Sequence, residues 1–174
     1  GDVYKRQTLY QGVPKGDKME MVIQKNVELG VHAIVPVSMK RCVVKLDEKK
    51  AQAKQKRWQQ ISESAAKQAK RGIVPEILPV MSFAQALDYA KDFEQKLLPY
   101  ECAEGIEGTR RILSGIQPGQ KVAVFIGPEG GFDEKEVEAA KDAGFQVLTL
   151  GRRILRTETA GMMLLSVLGY LLEE

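Results

Sequence analysis

The sequence predicts an α/β protein, with a mostly parallel sheet and helices on both of its faces, and three observations lead there. Short apolar runs of strand length alternate with stretches whose apolar residues recur at helical spacing. Two of the apolar runs pass directly into glycine- or arginine-rich loops that open helices, the usual joints of such a sheet. A chain of 174 residues, 44% hydrophobic and 28% charged, is long enough to bury both sheet faces within one domain.

Taken in order, Leu9 to Val13 reads as a strand. Lys18 to Leu29 carries apolar residues at 19, 22, 23, 27 and 29, which predicts a helix closed by Gly30. Ala33 to Val37 is a short apolar run of the buried-strand kind, and Arg41 to Leu46 is expected to form another strand. Asp47 to Lys70 predicts a long polar helix with Trp58, Ile61 and Ala65 on its inner face. Two prolines keep Val74 to Val80 extended. Ser82 to Lys91 predicts a short helix, Leu97 to Cys102 and Lys121 to Ile126 strands, and Asp133 to Ala143 a helix. Val147 to Leu150 is the next strand, and Thr157 to Leu172 is the C-terminal helix. The apolar face of Met162 to Leu172 suits ordinary core and a subunit interface equally.

Net charge is only +3, but it is unevenly placed. Between Ser38 and Gly72 there are eleven Lys or Arg against three acids, a local balance of +8, so the remainder carries −5. An anionic partner such as RNA would explain that segment, and so would a solvated helix face. Two cysteines, Cys42 and Cys102, make no disulfide framework and have no metal-ligand spacing. With no apolar stretch of membrane-spanning length and no secretory pattern, they are expected to be reduced thiols in a cytoplasmic protein. The single histidine, His32, excludes poly-His metal sites and most histidine-based catalysis; a solvent-side or packed place at a helix end accounts for it. The opening string Asp2-Val3-Tyr4-Lys5-Arg6-Gln7 is what GAT GTG TAT AAG AGA CAG encodes, a transposon end used in sequencing libraries. Residues 1–7 are therefore expected to be a translated adapter and 8–174 the natural chain, a reading that the same codons in an untagged genomic sequence would overturn.

Two loops carry the chemistry. Gly127-Pro128-Glu129-Gly130-Gly131-Phe132 follows the run Val122 to Ile126, and Asp133 with Glu136 then makes a capping-box pattern. Its glycines allow close approach of a ligand to the main chain, and equally a plain tight turn. It matches neither the dinucleotide fingerprint nor the P-loop. Leu150-Gly151-Arg152-Arg153-Ile154-Leu155-Arg156-Thr157-Glu158-Thr159-Ala160 also follows a strand and opens a helix. Thr157 or Thr159 can cap that helix, and Glu158 suits its first turn. Three arginines in five positions are not explained by capping; arginine at a ligand edge usually meets an anion.

These two strings, in this order and about twenty residues apart, resemble the RsmE family, bacterial small-subunit rRNA uridine-N3 methyltransferases of the SPOUT superfamily. Lys25 to Val31, Pro36 to Arg41, Ala66 to Pro75 and Tyr100-Glu101 are similar to the same family, so the likeness spans residues 8 to 172. The resemblance implies a C-terminal trefoil knot, a homodimer, and S-adenosyl-L-methionine as methyl donor. It implies donor contacts at Glu101, Ile126, Gly127, Gly130, Gly131, Leu150, Gly151, Ile154 and Leu155. It implies 16S rRNA, or the 30S subunit, as the partner, with Lys25, Arg41, Arg71 and Arg153 on the RNA. Uridine N3 is protonated at neutral pH, so the reaction needs a base or a cation facing the developing uridine anion. Arg156 is the expected cation; Glu158 is either the base or a helix-capping residue. No metal is expected. Full-length members begin with a PUA-like RNA-binding domain, which this chain is expected to lack. Within the matched blocks, Gln68 follows a lysine where the family often has an acid, and Cys42 stands where a small hydroxyl residue is usual. Rival readings are a knotted methyltransferase of ribose 2′-O or guanine, and a non-catalytic RNA-binding domain.

Overall fold

The computed structural model describes residues 6–101 and 105–172, so Cys102 and residues 1–5 lie outside the described residues. Its elements run β1 (Gln7–Gly12), α1 (Lys18–Glu28), β2 (Ala33–Ser38), α2 (Glu48–Gln68), β3 (Glu76–Ile77), β4 (Met81–Ser82) and α3 (Phe83–Tyr89). Then come β5 (Gln95–Pro99), α4 (Ile106–Ser114), β6 (Val122–Ile126), α5 (Glu134–Asp142), β7 (Gln146–Leu148) and α6 (Thr157–Leu172). The strands form one sheet in the order β3-β2-β1-β6-β5-β7, with β4 also on β2, and each pairing is parallel. The expected fold class is therefore observed.

Central strands of a parallel sheet are covered on both faces, and β6 shows it: all five residues of Val-Ala-Val-Phe-Ile are buried. β1 lies between β2 and β6 and is buried along its whole length, although Gln7, Thr8 and Gln11 are polar. It starts two residues earlier than its apolar run suggests, because main-chain pairing on both sides holds Gln7 and Thr8. That pairing is indifferent to side chain and so does not bear on the origin of the opening string.

Adjacent strand residues face opposite ways, so Leu9 and Tyr10 sample both faces. Leu9 lies against Gly161 of α6, whose layer also holds α1 and α2. Tyr10 meets Phe125 edge-on at 4.8 Å between ring centroids, and Phe125 stacks on Phe83 of α3 at 5.2 Å and on Phe145 at 4.9 Å. Each such ring pair contributes about 0.5–1.5 kcal/mol beyond its buried area.

Local signals place the helices. Asp47 caps α2 by accepting from the Lys50 amide, and Ser82 with Gln85 forms a capping box on α3. Gly30, at φ +97°, closes α1 as expected. The buried stripe of α6 is Gly161, Leu164, Leu165 and Leu168, a spacing of three and four, while Met163, Tyr170 and Leu171 on the same helix are exposed.

One expected strand is corrected. Arg41 to Leu46 is not a strand: the bonding edge of β2 is taken by β3 and β4, and the segment turns instead, with the Cys42 amide donating to Met39. The buried Cys42 thiol accepts from the Met39 amide at 3.4 Å and sits 3.8 Å from the Val37 carbonyl, bonds a small hydroxyl would also make. α4 was not anticipated, although Ile106, Thr109, Ile112 and Leu113 recur at helical spacing; Gly105 and Gly115 bound it and Gly108 interrupts it. β7 and β5 also end earlier than expected, at Leu148 and Pro99, which leaves Thr149 to Arg156 and Tyr100-Glu101 as loops.

Candidate active site

Both signature loops leave the carboxyl ends of their strands, β6 and β7, on the same edge of the sheet, where ligands of such sheets bind. Between them is a cavity of about 560 Å³, within the usual range for a small-molecule or cofactor site. Of the expected donor contacts, all nine line it: Glu101, Ile126, Gly127, Gly130 and Gly131 on one side, Leu150, Gly151, Ile154 and Leu155 on the other. Arg41, Arg153, Arg156 and Glu158 line it too. Ile154 is 80% exposed and so belongs to the rim, whereas Ile126 is buried in the floor.

The glycines are structural necessities. Gly131 sits at φ +75°, a conformation few side chains adopt. A Cβ on Gly127 would stand 3.1 Å from the Gly131 main chain, and one on Gly130 only 3.0 Å from Arg41 Cβ. The loop is thus folded back on itself and against Arg41, whose Nη1 donates to the Gly130 carbonyl at 3.2 Å. Beyond it the capping box is realised: Asp133 accepts from the Lys135 amide, and Glu136 accepts from the Asp133 amide.

Sequence reading missed three parts of the site. Thr157 does not cap α6. It is buried, donates its hydroxyl to the Gly127 carbonyl at 2.6 Å, and accepts from Gln11 Nε2 at 2.7 Å. One hydroxyl therefore joins β1, the first loop and the second. Thr157→Val is expected to take one of the two acceptors of Gln11 Nε2, leaving it the Gly12 carbonyl at 3.0 Å, to strip the Gly127 carbonyl of the hydroxyl, and to cost about 1–3 kcal/mol in urea unfolding. Wild-type stability would refute the clasp.

Lys15 and Lys18 also line the cavity and were not anticipated. Lys18 Nζ lies 3.2 Å from Glu129 and 4.0 Å from Glu158, and the Lys15 amide donates to Glu129 at 3.1 Å. Burial raises the Glu129 pKa, but main-chain donors, Lys15's among them, and Lys18 outweigh it, so the carboxyl sits below its ordinary 4.5. A depressed carboxyl stabilises the fold above its unfolded pKa, and that contribution is lost as pH falls through the folded value. Glu129→Gln is expected to melt below wild type at pH 7 and to converge with it as pH falls through the acid range in which the folded carboxyl takes up its proton. A gap unchanged across that acid range would exclude the ionic clasp.

Glu158 Oε1 is buried and has no hydrogen-bond partner among the described residues. A buried polar atom left unpaired costs about 1–3 kcal/mol, which marks the group as available to something the cavity receives. Arg156 is exposed and lines the cavity. Two expected RNA contacts stand elsewhere. Lys25 lines a separate groove between α1 and α2, beside Arg57 and Gln68. Arg71 Nη1 donates to the Val27 and Val31 carbonyls at 3.1 and 2.7 Å, bracing the end of α1. His32 is exposed, and no cluster of metal-binding side chains is found among the described residues.

Comparison with known proteins gives the chain's family. The RNA methyltransferase domain family matches residues 4–169. A Bacillus subtilis protein, ribosomal RNA small subunit methyltransferase E, is 44% identical over 91% of this chain and 63% of its own length. A Mesomycoplasma hyopneumoniae protein of the same name is 40% identical over 87% of this chain and 64% of its own length. The crystal structure of the Neisseria gonorrhoeae protein of that name, bound to S-adenosyl methionine, superposes with a TM-score of 0.82. It is 37% identical over 97% of this chain and 67% of its own. This chain thus spans a little under two thirds of the curated relatives it matches.

Proposed function

The chain belongs to the RsmE family of RNA methyltransferases, and on that premise we propose that it methylates N3 of a uridine in 16S ribosomal RNA with S-adenosyl-L-methionine as donor. The observation that carries the reading is the cavity itself: the nine residues expected to hold the donor, 101 to 155 in the chain, converge on one space of about 560 Å³. Its chemistry fits that group. The apolar side chains of Ile126, Leu150 and Leu155 suit a flat heterocycle, and the side-chain-free backbone at Gly127, Gly130 and Gly131 leaves main-chain donors and acceptors within reach.

When bound, the donor supplies a methyl group already activated by a sulfonium. The chain's residues must then place N3 in line with it, remove the N3 proton and hold the resulting charge. Arg156 faces the uridine anion as that charge develops. Glu158, with an unpaired buried oxygen, accepts the proton, and Lys18 keeps the carboxyl oriented. Arg41 and Arg153 on the cavity rim contact RNA phosphates, and Lys25 and Arg71 are proposed to do so from the α1 side.

The proposal extends to a C-terminal trefoil knot, in keeping with Thr157 being held by both Gln11 and Gly127. It extends to a homodimer, which the exposed Met163, Tyr170 and Leu171 beside the buried stripe of α6 support, and to the cytoplasm and the 30S subunit as the place of action. No helix among the described residues is long and apolar enough to cross a membrane.

Calorimetric titration with S-adenosylmethionine and S-adenosylhomocysteine tests the reading, with Gly131→Val as control. Saturable binding that the substitution abolishes is expected. A folded chain that binds neither compound, alone and again when extended by the family's N-terminal domain, would overturn the proposal. Nucleoside analysis of treated 30S subunits then separates uridine N3 from a ribose or guanine product.

A further inference from the structure

We infer that Thr109, a residue of α4 outside the cavity lining, is a positioning residue that sets the shape of the second donor loop. The inference rests on the reading of the cavity as the methyl-donor site.

β7 ends at Leu148, and the chain must leave the sheet and enter the cavity within three residues. A strand end loses its ladder partners there, and an unpaired main chain would be free to drift. Two threonine hydroxyls in series take the place of those partners. Thr109 Oγ1 donates to the Thr149 carbonyl at 2.7 Å and accepts from the Thr149 amide at 3.1 Å. The Thr149 hydroxyl does the same one step further on, donating to the Gly151 carbonyl at 3.0 Å and accepting from the Gly151 amide at 3.2 Å. Each hydroxyl thus satisfies both polar groups of one residue. Gly151 is held at φ +120°, where only a glycine is at ease, so the bend is fixed by these bonds and not by side-chain preference.

The anchor for this chain of bonds is firm. Thr109 is 4% exposed and packs on α4 beside the buried Leu113. Thr149, Leu150 and Gly151 line the cavity, so a shift at Thr149 moves the second loop where it forms the cavity wall. The amide of Tyr100, another lining residue, bonds the Leu148 carbonyl just before the clasp, which ties the β5 side to the same point.

The test compares Thr109→Val, which keeps the shape and loses the hydroxyl, with Thr109→Ser, which keeps the hydroxyl. Thr109→Val is expected to weaken S-adenosylmethionine binding by about tenfold, and Thr109→Ser to stay within about threefold of wild type. Amide exchange in the unliganded protein gives a second readout. In Thr109→Val, or in Thr109→Ala should the valine variant not fold, exchange should speed up through residues 149–155 while the β6 amides stay protected. Wild-type affinity in Thr109→Val, or exchange raised equally in β6, would overturn the inference while leaving the donor site intact. Failure of the wild-type chain to bind the donor would instead remove the reading on which it rests.

Discussion

Arg156→Ala is expected to slow methyl transfer to 30S subunits by about 10²–10³-fold while S-adenosylmethionine affinity stays within about twofold of wild type. The split follows from where the residue stands. Arg156 lines the cavity, is exposed, and makes its fold-related bonds through its main chain, where its carbonyl accepts from the Thr159 and Ala160 amides. Truncating the side chain therefore leaves the start of α6 in place. What is lost, on the proposed role, is a positive charge set against the nitrogen from which a proton must depart, an interaction that strengthens as the uridine anion forms. Arg156→Lys should recover part of the rate, since it restores charge without the planar fork. Single-turnover rates with saturating donor measure the effect. A parallel loss of donor affinity would assign Arg156 to donor binding and refute the catalytic role.

How much of this was legible beforehand depended on how local each signal is. The two loops could be read directly because glycines and crowded arginines are costly where they have no task, and they sit contiguously after strand-like runs. The helices with side-chain caps, α2 at Asp47 and α5 at Asp133, were also legible. The strand expected at Arg41 to Leu46 failed because apolar alternation says nothing about whether a neighbouring edge is vacant; β3 and β4 had already taken it. α4 was missed because Gly108 and a run of polar residues obscure a short amphipathic pattern whose buried face is Thr109 and Leu113. Thr157 was read, with Thr159, as one of two candidate caps because local sequence offers no other use for it, whereas its partners Gln11 and Gly127 lie 146 and 30 residues away. Lys15, bonded to Glu129 across 114 residues, was hidden for the same reason.

Gly12→Ala carries the second large expected effect, and it follows from one of those long-range approaches. Gly12 ends β1, and a Cβ placed on it would stand 2.7 Å from Pro128 Cδ, 2.8 Å from Pro128 N and 2.9 Å from Met39 Sδ. Met39 has a flexible thioether that can retreat, but the Pro128 contacts include main chain. That main chain cannot simply withdraw, because the Pro128 carbonyl accepts from the Gly131 amide at 2.8 Å and the neighbouring Gly127 carbonyl is held by Thr157. One added methyl group must therefore displace the Gly127–Phe132 loop or pry β1 from β2. Overpacking of this kind costs about 1–3 kcal/mol. Because the displaced atoms form one wall of the cavity, donor affinity should fall by at least about a hundredfold, more than the stability loss alone would produce in a folded sample. Gly72→Ala is the matched control: a Cβ there meets nothing within 4 Å, and both stability and donor binding should be unchanged. Urea unfolding and donor titration on the two variants give the answer. A Gly12→Ala protein that binds S-adenosylmethionine as tightly as wild type would mean that the first loop can yield without losing its shape. The donor pocket would then depend on the second loop and not on the closeness of β1 to Pro128.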